Sequence, residues 1–398
     1  MKHVRFLLLY TLLYICGNVR AVPGDSLEVG LLTCEPGTEV YALYGHTGIR
    51  ICNYATGEDW VFNYGMFSFR QPHFIWRFAL GECDYQIGVE SFSRFAREYA
   101  ARGSSVYQQT LNLTAAEKRR LWALLLENMR PENREYRYNY FYDNCTTRAR
   151  DRIEDAIEGE VVYPESDTVR SYREIVHQYT AHYPWAELGN DLCLGAEADR
   201  AITEREEMFA PFYMLRYADG AVIRDASGNE RPLVSGKYKV VEGRGVMVSE
   251  GFPLSPGECA WGLFALVALL TLAERWRRAC FWWLDLVLMT CVGVMGVVLT
   301  FLFFFSVHPT VGSNWQIWVF NPIPLVAMPW VVWCGFKRRK TRYHAFNAAV
   351  LMFFILFSAL IPQDFCAVVV PLALVLLLRS CSYVASYRKS FDRKENAS

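Results

Sequence analysis

Charge of one sign is missing from this chain. Lys and Arg together number 41, Asp and Glu also 41, and the pI is about 7.0. A dedicated nucleic-acid binder carries a basic excess, so that class is disfavoured. Metal and phosphate signatures are missing too. Only seven histidines occur, and there is no HExxH, no CxxC pair and no glycine-rich phosphate loop. Neither a cofactor nor a resident metal is therefore expected. What is abundant is apolar surface: 53% hydrophobic and 15% aromatic residues are too many for a disordered chain.

That surface is unevenly placed. Residues 1–252 read as a charged, soluble domain behind a leader, whereas long uncharged runs and eight of the 12 Trp follow Pro253. At the start, Lys2 and Arg5 precede an apolar stretch over residues 6–15 and a small-residue site ending at Ala21. This is a secretory signal pattern, too short for a comfortable span. Residues 22–252 are thus expected outside the cytoplasm.

A span needs roughly 20 apolar residues. Five segments are read as helices: residues 259–273 (extendable back to 252), 286–307, 315–336, 345–361 and 365–378. The last can lengthen to Tyr387 if Arg379 snorkels. Positive charge tests the count. Arg275, Arg277 and Arg278 follow the first run, residues 337–342 supply five Lys or Arg after the third, and Arg388, Lys389, Arg393 and Lys394 follow the fifth. The two intervening connections have none. Five spans, residues 253–387, with an outer N-terminal domain and an inner tail (388–398) satisfy every loop. Asp285, near an inner end, is expected to reach water. In the outer half, Asn321-Pro322-Ile323-Pro324 breaks the third span. A broken helix in lipid is tolerated against protein or a wet cavity. It reads either as a packed kink or as a substrate groove lined by His308, Asn314 and Asn321.

The outer domain is expected to be α+β. Residues 41–52 and 60–64 read as a hairpin around Ala55-Thr56-Gly57-Glu58. Residues 91–102, 114–130, 145–157 and 203–217 read as helices, with capping boxes at Thr114/Glu117 and Thr203/Glu206. Residues 234–248 read as a closing pair of strands.

Chemistry is best sought at the cysteines. Cys34, Cys52, Cys83, Cys145 and Cys193 make an odd number, so at least one thiol is left over unless it pairs with Cys259 or another chain. Cys145, in Asp143-Asn144-Cys145-Thr146-Thr147, opens a helix, where unpaired amides and the dipole favour the thiolate nucleophile. Of the outer-domain histidines, His73 lies in an aromatic stretch and His177 and His182 look like helix-surface residues. His46 lies on a strand between Gly45 and Gly48, which permit close backbone approach. Cys145 with His46 reads as a thiol dyad, or equally as a structural Cys and a hydrogen-bonded strand His.

A strand His followed roughly a hundred residues on by Asn-Cys at a helix start resembles the circularly permuted papain-like thiol enzymes, NlpC-type peptidases and the lecithin:retinol acyltransferase group among them. More closely, the chain resembles the Lnb family, lipoprotein N-acyltransferases of Bacteroides-type bacteria. The matching stretches are residues 43–51 (LYGHTGIRI), 61–67 (VFNYGMF), 106–113 (VYQQTLNL), 141–151 (FYDNCTTRARD) and 200–209 (RAITEREEMF), with His308-Pro309 and Phe320-Asn321-Pro322.

The resemblance implies a permuted papain-like periplasmic domain on a membrane bundle in the bacterial inner membrane. It implies transfer of an acyl chain from a phospholipid donor to the α-amino group of a diacylated lipoprotein acceptor. Cys145 matches the nucleophile and His46 the base. A third, orienting residue is expected on the strand after His46, for which Asn63 is the candidate. Asp143 or Asn144 either caps the nucleophile helix or helps form an oxyanion hole. Two other classes remain open: a membrane-anchored cell-wall peptidase or amidase using the same pair, and a non-enzymatic envelope scaffold.

Overall fold

The computed structural model describes residues 26–67, 72–245, 251–337, 339 and 341–395, with side chains to residue 385. The expected leader, residues 1–21, lies outside them, as do residues 246–248 of the expected closing strands.

The outer domain is α+β. Strands β1 (Leu27–Cys34), β2 (His46–Asn53) and β3 (Glu58–Met66) form an antiparallel meander. Helix α1 (Phe74–Leu80) leads to β4 (Asp84–Ser91), then α2 (Phe92–Arg102), β5 (Val106–Leu111), α3 (Ala115–Met129) and β6 (Glu135–Arg137). Helix α4 (Cys145–Ala156) and β7 (Glu160–Val162) come next. After α5 (Tyr172–Thr180), α6 (Pro184–Cys193), α7 (Glu204–Glu207) and α8 (Pro211–Gly220), strands β8 (Val222–Arg224), β9 (Glu230–Pro232) and β10 (Val234–Val241) end the domain. The main sheet has the order β10-β5-β1-β2-β3-β4-β6, and β7-β8-β9 form a small second one. Its core joins Val29, Leu31, Ile49, Phe62 and Tyr64 from the sheet to Leu121, Leu125, Ala149 and Ile153 from α3 and α4.

Local chemistry sets the boundaries. The β2–β3 hairpin turns at Gly57, which takes φ 74°. Thr114 and Glu117 cap α3 reciprocally, as the spacing predicts. Three expectations are corrected. The strand expected from residue 41 begins at His46, because Val40–Ala42 form a 3₁₀ turn and Gly45 adopts φ 77°. The helix expected over residues 203–217 is two: Thr203 caps α7, and Pro211, lacking an N–H, starts α8 afresh. Among the described residues, a single strand, β10, stands where a closing pair was expected, and it pairs with β5.

Beyond Ser255, which caps the first of them with Glu258, come α9 (Pro256–Arg277), α10 (Trp282–Phe305), α11 (Ile323–Phe336), α12 (Tyr343–Phe357) and α13 (Val369–Glu395). Four stretches are long and apolar enough to cross a membrane: Pro256–Arg277, Trp282–Phe305, Trp315–Phe336 and Tyr343–Leu360. The apolar part of α13, Val369–Ala385, is shorter. The third stretch is broken as expected: a 3₁₀ turn over Trp315–Trp318 precedes α11. Two polar residues behave otherwise than expected. Arg379 does not snorkel, and Asp285 does not reach water. Asp285 is 7% exposed, and Arg379 grips both its oxygens at 2.8 Å while also meeting Glu274 and Thr271. A buried carboxylate and guanidinium compensate each other's lost hydration, so the pair ties α13 to α9 and α10.

The outer domain is fastened to the bundle by a polar seam. Asn314 Nδ2 donates to the Leu192 carbonyl at 2.7 Å and Gln316 Nε2 to the Asp191 carbonyl at 2.6 Å. Gln363 reaches Leu194 O and Asn314, and the Asp364 amide donates to Asp199. Under α6, Arg173 is 1% exposed and pairs with Asp191 and Asp199, each at 2.6 Å. On the other side, the Val307 amide donates to Leu80 O at 2.9 Å, clasping α1 to the end of α10.

Candidate active site

The meander register builds the site. Gly48 on β2 faces Asn63 on β3, so His46, two residues before Gly48, is the diagonal neighbour of Asn63 on the same face. The two glycines have separate reasons. A Cβ at Gly45 would strike the Cys34 carbonyl at 2.5 Å, and one at Gly48 would crowd Asn63 Oδ1 at 3.1 Å. Gly45 thus lets β1 and the start of β2 approach, and Gly48 leaves room for Asn63.

Asn63 Oδ1 lies 3.0 Å from His46 Nε2, and Asn63 Nδ2 donates to Glu90 Oε1 at 3.2 Å. A carboxylate accepts, so Glu90 turns the amide nitrogen toward itself and the amide oxygen toward His46. That oxygen accepts the Nε2 proton, which leaves Nδ1 as the basic nitrogen of a neutral His46. Glu90 lies on β4 two residues after Gly88, which faces Asn63.

Cys145 is the first residue of α4. Asn144 caps this helix: its Oδ1 accepts from the Thr146 and Thr147 amides at 2.8 and 2.9 Å, and its Nδ2 donates to Tyr140 O and Phe209 O, each at 2.9 Å. Every polar atom of the Asn144 side chain is thereby used. Of the two roles left open for it, capping is the one it performs, and it has no donor for an oxyanion. Asp143 forms a two-pronged ion pair with Arg148 at 2.6 and 2.7 Å. Thr47 and Thr146 bring their hydroxyls to 3.0 Å, latching α4 onto β2. Gly65, at φ 84°, allows α4 to sit over the end of β3, with Cys145 Cβ 3.5 Å from where a Cβ would be.

Electrostatics act on both partners in the same sense. Burial raises the Cys145 pKa, but the His46 charge and hydrogen bond, with help from the Thr47 amide and Thr146, bring it below its ordinary 9.0. Burial lowers that of His46, but Cys145 and Asn63 raise it above 6.5. The interaction therefore shifts the pair toward thiolate and imidazolium. Cys34, paired with His46 across β1 and β2, is the contrast: burial pushes its thiol far above the ordinary range. No disulfide joins the described cysteines.

The remaining candidates are not brought to this site. His308 Nε2 lies 2.6 Å from the Phe78 carbonyl, and burial, opposed by that bond, holds its pKa below 6.5. Asn314 is buried in the seam, bonded to Leu192, Gln316 and Gln363. Asn321 closes its own turn with Trp318 O and the Ile323 amide. All three side chains hold backbone in place, and none of them lies beside Cys145. His177, partly exposed on α5, bonds Asp191 at 2.8 Å, and exposed His73 precedes α1 at φ 55°. His177, Glu187 and Asp191 place ligand atoms within 4.8 Å of one another, but Arg173 already occupies the Asp191 oxygen that His177 meets.

Sequence reading missed Glu90, the Thr47–Thr146 latch and Gly65. Glu90 becomes recognisable only with the β3–β4 register, since nothing in its neighbourhood marks it.

An α+β domain that brings Cys145, His46 and Asn63 together, seated on apolar helices, defines a multi-pass membrane protein with an outer N-terminal domain. Residues 19–178 match the Lnb N-terminal periplasmic domain, and residues 248–390 match the Lnb transmembrane domain. The chain belongs to the Lnb family, and its N-terminal domain is periplasmic. No curated protein and no solved structure matches it.

Proposed function

We propose that this protein is a lipoprotein N-acyltransferase working by a Cys145 thioester. The observation that carries the reading is a polarised Cys145–His46–Asn63 set in a periplasmic domain fastened to membrane helices. In this reading, residues 1–21 are a cleaved leader and residues 22–252 a permuted papain-like domain. Residues 253–387 cross the inner membrane five times, α13 completing the count, and residues 388–398 form the cytoplasmic tail.

The Cys145 thiolate attacks the ester carbonyl of a phospholipid. The backbone N–H of Cys145, the first-turn amide that Asn144 does not take, faces the oxyanion at the dipole end of α4. The C–O ester bond breaks, and the His46 imidazolium gives its proton to the departing lysophospholipid oxygen. The α-amino group of the acceptor lipoprotein, with an ordinary pKa near 8, is partly neutral and attacks the thioester. His46 takes the ammonium proton, the C–S bond breaks, and the amide leaves with Cys145 restored. Asn63, held by Glu90, keeps the imidazole aimed through both halves.

Full-length protein in phospholipid vesicles, without acceptor, tests this by intact-protein mass spectrometry. The reading expects one added acyl mass on Cys145, released by hydroxylamine and absent from Cys145→Ala. An unmodified wild-type protein contradicts it.

A further inference from the structure

Helices α9 and α10 follow one another in the chain, yet α9 packs along α13 and α10 along α11. The two are held together at two levels. Near the inner ends, Arg379 meets Glu274 of α9 and Asp285 of α10. Near the outer ends, α6 of the periplasmic domain lies against both. Between these levels a cleft of about 330 Å³ is left.

Its walls are apolar at helical spacing. Ala260 and Leu263 line it from α9, Cys291 and Met295 from α10, each pair one turn apart and so on one face. Leu372 of α13 closes the back, and Leu188 and Leu192 of α6 form the roof. The small side chains of Ala260 and Cys291 keep the space open. No charged residue is among the described residues that line it, and Trp185 at the rim gives its N–H to the Leu254 carbonyl at 3.1 Å.

The surroundings say what fills such a space. Residues 248–390 match a transmembrane domain, so the cleft lies within the bilayer. Water would find too few polar partners there. Left empty, the cleft would forfeit the dispersion contacts of the atoms on its walls. Cys291 is exposed, and so are Leu266, one turn beyond Leu263, and Val287 and Val294, one turn to either side of Cys291. The cleft is thus continuous with the outer surface of the bundle, and hydrocarbon is the medium that reaches its mouth.

We propose that this cleft is a lipid site: one hydrocarbon chain of a membrane phospholipid lies between α9 and α10, beneath α6. Phospholipid is the occupant because the mouth faces the bilayer, and because a charge-free lining suits methylene groups and makes no hydrogen-bond demand. The seat is one helix away from the thiol domain's His46. Asn190, between Leu188 and Leu192 and therefore on the other side of α6, donates to the Tyr44 hydroxyl at 2.7 Å, two residues before His46. The site goes beyond the acyl-transfer reading and needs no reaction at Cys145.

Full-length protein in phosphatidylethanolamine vesicles tests this, with a small fraction of the lipid carrying a diazirine midway along one chain. After irradiation, peptide mass spectrometry locates the label. Cleft residues, Leu263 and Met295 among them, are expected to be labelled more heavily than the exposed Leu356 of α12. In Cys291→Trp the cleft label is expected to fall at least about tenfold, since an indole takes the space the chain needs. Label on Leu356 is expected to stay at the wild-type level, showing that the variant is seated in the bilayer. If Cys291→Trp does not accumulate, Leu263→Trp fills the cleft from the other wall and decides, with Met295 as the readout. Cleft residues labelled no more than Leu356, or a cleft label unchanged in a filled variant, overturn the site. A labelled cleft in a protein that never acylates Cys145 upholds the site and overturns the acyl-transfer reading alone.

Discussion

At the scale of single residues, reactivity follows from who faces whom. Cys145 and Cys34 both lie near His46, yet one thiol is lowered and the other raised, because Cys145 has the imidazole, the Thr47 amide and Thr146 about it. The consequence for pH is directional. With the Cys145 pKa lowered from 9.0 and that of His46 raised from 6.5, each partner favours the charged form of the other. Iodoacetamide should therefore alkylate Cys145 at a lower pH than an ordinary thiol requires. Removing His46 leaves burial unopposed by its charge, so in His46→Ala the profile should move up in pH. Asn63→Ala should move it part of the way, since Asn63 contributes to His46 alone. Alkylation rates across pH check this, and an unshifted His46→Ala profile would refute the pairing. Cys145 and His46 each carried a local signature in the sequence, a thiol at a helix start and a His between glycines, whereas Asn63 came only from the resemblance. Glu90 carried none: its role depends on a diagonal contact across β3 and β4.

At the scale of elements, caps and turns were legible and breaks were less so. Thr114/Glu117 and Thr203/Glu206 both form the boxes their spacing predicts. The helix after Thr203 nevertheless stops early, since Pro211 outweighs the apolar periodicity running through it. Asn144 illustrates the same competition, for the residue type that suits an oxyanion hole suits a cap as well, and the two carbonyls above it decide. Elements α5 and α6 meet at Arg173, whose guanidinium is matched to two carboxylates and the Leu194 carbonyl. Arg173→Ala would leave Asp191 and Asp199 buried without their cation, at a cost of about 3–5 kcal/mol. The thermal midpoint of the purified protein should fall by several degrees or the protein should fail to accumulate. An unchanged midpoint would show that the cluster is solvated.

At the scale of the whole molecule, the seam is what the sequence could not disclose. The apolar runs and their flanking charges pointed to a bundle, and the resemblance pointed to a thiol domain. How the two meet depends on contacts between residues more than a hundred positions apart, such as Asn314 with Leu192 and His308 with Phe78. His308, Asn314 and Asn321 are polar groups at the outer ends of helices, where joints and ligand sites look alike in sequence, and each is bonded to backbone. The buried Arg379–Asp285 pair was hidden for a related reason, since each residue alone looks able to reach water from a helix end.

Mass spectrometry of lipoprotein N-termini from cells making wild-type, Cys145→Ala or His46→Ala protein decides whether Cys145 and His46 together transfer an acyl chain to lipoproteins. Loss of the amide-linked third acyl chain in both variants, with both present in the membrane at wild-type amounts, is the expected result. A third chain retained in full in either variant at those amounts would show that they do not.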